Sequence, residues 1–193
     1  MAPTHPWMGN PAKAGLEEWA SPVLAVANDM DNGKGRGLVL TQPVAALDVL
    51  IVARAFVLAP IHRLSSEALR VLDDPSCPPR RKAQFLALSR GTGRPVDIDI
   101  GLFHEGPFEA PATPDVADIK LILETNAQDM SCAAAASSLE VSVACDAEGR
   151  SEQDLCGVWL LPSLLNHSCL PNTSFALLGG DTVCVFAARD LQA

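Results

Sequence analysis

The spacing of apolar residues along the chain changes twice, from short aliphatic runs to helical stripes and back to alternation. Residues 23–27 read as a short strand, followed by the turn-rich run Asn28-Asp29-Met30-Asp31-Asn32-Gly33-Lys34-Gly35-Arg36-Gly37, whose Asn, Asp and Gly supply the backbone conformations that turns need. Residues 38–41 and 49–58 are rich in aliphatic and β-branched side chains and predict two strands with a bend at Gln42-Pro43. The period then lengthens. Ser65 and Ser66 are candidate caps for a helix with Glu67 in its first turn and a stripe of Ala68, Leu69 and Leu72, ended by Asp73-Asp74-Pro75. Residues 80–90 repeat the idea, basic at the start and apolar at Phe85, Leu86 and Leu88. A loop broken by Pro and Gly over 91–114 leads to a third helix. Thr113 caps it, Pro114 takes its first position, Val116, Ile119 and Leu123 are its buried face, and it stops near Asn126. Alternation returns in Leu139-Glu140-Val141-Ser142-Val143-Ala144-Cys145, and residues 174–178 and 182–188 flank Gly179-Gly180-Asp181 as a tight hairpin. The expected fold class is α+β, mainly β, with strands enclosing a helical insert.

Composition sets the size of the problem. A chain of 193 residues, 48% hydrophobic, is long enough for one sizeable core and short for two. The division that follows is an irregular N-terminal arm over 1–21 and one domain over 22–193, made of N-terminal strands (22–59), a largely helical insert (60–130) and a C-terminal strand core (131–193). The formal charge of −9 would repel nucleic-acid phosphates, so direct nucleic-acid binding is not expected. That charge is concentrated: residues 97–160 hold 13 acidic and 2 basic side chains. Such a stretch is either a solvated face or a docking surface for a basic protein. The longest apolar run, 44–59, is interrupted by Asp48 and Arg54, which argues against membrane insertion. Six scattered cysteines without a CxxC pair fit neither a zinc finger nor a thioredoxin-type site. With no secretory pattern at the start, reduced thiols and a nuclear or cytoplasmic location are expected.

Two segments carry candidate chemistry. Gly35-Arg36-Gly37 precedes a strand and does not lie between a strand and a helix, so a dinucleotide-binding reading fails on context. Two glycines let a ligand approach the backbone closely, although such a triplet alone is more often just a turn. The second segment, Asn166-His167-Ser168-Cys169-Leu170-Pro171-Asn172, directly follows Leu164 and Leu165. Polar groups buried beside an apolar run need partners. A nucleophilic Cys169 with His167 as its base is disfavoured, because residues two apart rarely bring ring nitrogen to sulfur. A zinc site lacks a second ligand pair. What remains is a buried structural loop or a polar cofactor held by amide and backbone groups.

The second segment resembles the NHSCxPN signature of SET-domain protein lysine methyltransferases, and Gly33-Lys34-Gly35-Arg36-Gly37-Leu38 resembles that family's opening GxG element, in the same order. The long insert is similar to that of the split-SET (SMYD-like and TPR-bearing) branch, and Thr125-Asn126-Ala127 resembles its asparagine segment. The resemblance implies a SET-domain (β-clip) core over 22–193. It implies S-adenosyl-L-methionine as cofactor, held at Lys34, Gly35, Arg36, Gly37, Asn126, Asn166 and His167, and methyl transfer to lysine of a histone or other basic protein. It assigns no catalytic or metal-binding residue in this chain, and Cys169 is expected to pack as a small apolar side chain. SET enzymes orient the lysine amine with tyrosine hydroxyls, and this chain has no tyrosine. The family's final strand and catalytic tyrosine would lie past Ala193. The expectation is therefore a fragment of an active parent or, alternatively, a catalytically inactive interaction module.

Overall fold

Strand β4 (Val49–Arg54) organises the strand half of the molecule, because Leu50, Ile51, Val52 and Ala53 are all buried and both of its edges are paired. A computed structural model describes residues 18–30, 35–91, 115–129 and 155–193. Among these, strand exceeds helix and the strands form small antiparallel sheets. Lys34, Thr113, Pro114, nearly all of the 91–114 loop, the strand expected at 139–145, Cys132 and Cys145 lie outside the described residues.

The largest sheet has the order β1-β4-β9-β8, with β1 at Glu18–Ala20, β8 at Thr173–Gly179 and β9 at Thr182–Ala187. The end of the expected N-terminal arm is thus a short strand. Trp19 opposes Val52, and Glu18 Oε1 accepts the Leu161 backbone N–H at 3.0 Å. The β8–β9 hairpin forms as the glycines predict, with Gly180 at φ +58°. Its turn is also a clamp: the Asp181 carbonyl accepts from Ala55 N and from the buried Trp159 Nε1, both at 2.9 Å. Strands β2 (Leu24–Met30) and β3 (Gly35–Leu40) pair with each other. Strand β5 (Val57–Pro60), β6 (Gln128–Asp129) and β7 (Leu155–Val158) form a third sheet with β7 in the middle. The single strand expected over 49–58 is therefore two strands, broken where Phe56 turns in to stack on Phe85 with ring centroids 4.6 Å apart.

The three expected helices are present, with different starts. Helix α1 (Leu64–Asp73) grows out of a 3-10 turn at Ile61–Arg63, so its N-cap is Arg63 and Ser65 and Ser66 lie inside it. Ser66 Oγ donates back to the Arg63 carbonyl at 2.8 Å. Helix α2 spans Pro79–Leu86. Helix α3 (Val116–Asn126) is capped by Asp115, whose carboxylate accepts the Ala117 N–H at 3.1 Å. Val116 is exposed, against expectation, because the first helical turn projects beyond the core; Ile119, Ile122 and Leu123 form the buried face. Phe56, Phe85, Ile119, Ile122 and Val158 belong to one apolar core, and Leu50, Ile51, Trp159, Val183 and Val185 to another. Leu38 of β3 packs against both, which fixes β3 at their junction. Among the described residues, no helix is long and apolar enough to cross a membrane.

Candidate functional site

At the two-glycine segment the β2–β3 ladder is irregular. Ala27 pairs with Gly37 and Met30 with Gly35, so two residues of β2 stand opposite Arg36 alone. A bulge of this kind takes backbone groups out of the ladder and turns them elsewhere. The freed carbonyl of Arg36 accepts the Asn166 side-chain amide at 3.3 Å, across 130 positions of sequence. The two candidate segments are therefore neighbours in space. The 3-10 turn at Pro162–Leu164, with Pro162 and Leu164 buried, anchors the base of the 166–172 loop.

The helical insert joins the same neighbourhood. The Arg36 guanidinium Nη2 donates to the Ala87 carbonyl at 2.9 Å, just past the end of α2. Its partial burial pulls the guanidinium below the usual arginine pKa, since desolvation penalises the charged form. Asn126, buried at the end of α3, donates its amide nitrogen to the Ser89 and Ile122 carbonyls, both at 2.7 Å. The segment 87–89 is thus held by Arg36 and by Asn126. Arg36, Asn126 and Asn166 are linked through β3, the segment 87–89, α3 and the 166–172 loop, and Gly37 is buried at the bulge. Because the Asn126 amide nitrogen is spent on carbonyls, its oxygen is the atom left to a ligand, and it can meet only a hydrogen-bond donor.

Three expectations about the 166–172 loop are corrected. The segment is exposed throughout, and Leu170 is 73% accessible, so the polar cluster is not buried. Leu164 is the last buried residue before the loop; Leu165 is extended and leads the chain out to it. Further, His167 Nε2 lies 3.6 Å from Cys169 Sγ. Ser168 Oγ donates to the Leu170 carbonyl at 3.0 Å and accepts the Leu170 N–H at 3.2 Å, and the chain bends at Cys169 and Leu170. Cys169 is exposed and does not pack as an apolar residue. With its ring turned to sulfur, His167 would meet a cofactor through its backbone.

Ala87, Ser89 and the Ser168 turn escaped the sequence reading. Backbone carbonyls leave no trace in residue type, and the place of Ser168 within the Asn166–Asn172 motif does not by itself disclose its bonds to Leu170. No family model matches the chain. No curated protein is significantly similar to it.

Proposed function

We propose that this chain is a SET-type protein that binds S-adenosyl-L-methionine and belongs to the protein lysine methyltransferase lineage. The observation that carries the reading is the Asn166–Arg36 hydrogen bond, which joins the two segments that resemble that family's cofactor motifs. The residues present fit the amino-acid end of such a cofactor. Asn126 offers an amide oxygen for an ammonium group, the bulge at Gly35–Gly37 offers backbone without side-chain bulk, and Asn166 holds the rim together. When bound, the cofactor supplies an electrophilic methyl group on a sulfonium. The work of these residues is to orient it and to keep its charged end out of bulk water.

The substrate would be a lysine on a histone or other basic protein, to which the 13 acidic side chains of residues 97–160 are complementary in charge. A second reading is a noncatalytic interaction module that docks a basic partner through the acidic side chains of residues 97–160. Calorimetric titration with S-adenosyl-L-methionine tests both. Saturable binding is expected, weakened at least about tenfold by Asn166→Ala, the effect of losing a hydrogen bond worth about 1.4 kcal/mol. No binding, or unchanged affinity in the variant, would remove the proposal. Binding without transfer to any lysine peptide would select the module.

A further inference from the structure

The 166–172 loop holds a pair of groups that methyl-donor binding does not use. His167 and Cys169 face one another at 3.6 Å on the surface, where a solute can reach both. The other described cysteines differ in setting. Cys156 and Cys184 are buried, and burial pushes the Cys184 thiol up, away from the thiolate. Cys77 is half-buried at the α1–α2 connection, its thiol 4.0 Å from the Pro78 carbonyl. Among the described residues, Cys169 alone combines exposure with a nitrogen base at hydrogen-bond distance. That combination favours a reactive thiol over an inert one.

We propose that Cys169 is a modification site for hydroperoxides, with His167 as its proton carrier. His167 Nε2 takes the thiol proton, and the sulfur attacks the nearer oxygen of the peroxide. The S–O bond forms as the O–O bond breaks, and the leaving hydroxide or alkoxide takes the proton back from the imidazolium. Thiol and hydroperoxide are converted to sulfenic acid and water or an alcohol; sulfur is oxidised, the peroxide is reduced, and the imidazole is regenerated. Between the two side chains, Ser168 is tied to Leu170 by both of its Oγ hydrogen bonds. The site stands on that geometry and does not rest on the methyl-donor reading.

The test uses the full chain, treated with hydrogen peroxide in the presence of dimedone, which traps sulfenic acid, and read peptide by peptide by mass spectrometry. Cys169 is expected to label at least about tenfold faster than Cys77, and His167→Ala to slow Cys169 by at least about tenfold with Cys77 unchanged, as for the loss of a positioned base. Labelling of Cys169 no faster than Cys77 in the unaltered protein overturns the proposal without reference to any variant. An unchanged Cys169 rate in His167→Ala also overturns it. His167 is exposed, so its truncation leaves the core intact, and Cys77 in the same sample reports any general unfolding.

Discussion

Single residues show where this fold stores strain and where it has no room. Leu47 sits at φ +71° in the turn from Ala45 to Asp48, closed by the Asp48 N–H on the Ala45 carbonyl at 3.1 Å. A left-handed conformation suits Asn or Gly and penalises a branched side chain. Leu47 is also 74% exposed, so it gains little from packing. Leu47→Asn should stabilise the protein and Leu47→Val destabilise it, each by about 0.5–1 kcal/mol; urea unfolding would check the order. Gly157 is the opposite case. A Cβ there would fall 2.6 Å from Trp159 Cζ3 and closer still to Cη2, within the buried middle strand β7. Gly157→Ala should cost about 1–3 kcal/mol, as overpacking does, measured by the same unfolding. Asp74 illustrates a surface effect: its carboxylate accepts from Ser76 N and Oγ at 2.8 and 2.7 Å, which holds its pKa below the ordinary value. A depressed native pKa contributes stability that is complete above the unfolded value and is lost as pH falls through the native one. In Ser76→Ala, an NMR titration should show the Asp74 pKa rising towards the ordinary value of 3.8.

At the scale of elements, what the sequence discloses depends on whether neighbours in the chain or distant partners decide the outcome. The β8–β9 hairpin was legible because Gly179-Gly180-Asp181 both permits and marks the turn. Helix α3 was legible in its buried positions Ile119 and Leu123 and in its end at Asn126, which are local features of its period. Its cap was not, because Asp115 competes with Thr113 for that role and the residue types do not rank them. Strand β1 was illegible: three residues show no period, and Glu18–Ala20 is a strand because β4 has an edge to cover. The candidate site divides in the same way. Residue types marked the Gly35–Gly37 and Asn166–Asn172 segments, but exposure of the latter follows from where the 3-10 turn at Pro162–Leu164 ends. The junction between α2 and α3 makes a prediction at this scale. Asn126→Ala removes a part-buried hydrogen bond to Ser89 and a buried one to Ile122, and should lower stability by about 2 kcal/mol. Hydrogen exchange should then report faster opening of residues 87–91 and of the end of α3 before the β4–β9 sheet.

For the molecule as a whole, the central relation is between two cores and one bulged strand. Leu38 packs against both the helix-lined core and the sheet core, and the bulge two positions earlier presents Arg36 to Asn166 on one hand and to Ala87 on the other. A ligand held there would touch segments contributed by the beginning, the insert and the end of the described chain. Titration of the isotopically labelled protein with S-adenosyl-L-methionine, followed by backbone NMR, tests this most directly. Resonances of Gly35–Gly37, Asn126 and Asn166–His167 are expected to shift together along a single saturation curve. Absence of any shift, or shifts confined to residues remote from these segments, would contradict that expectation.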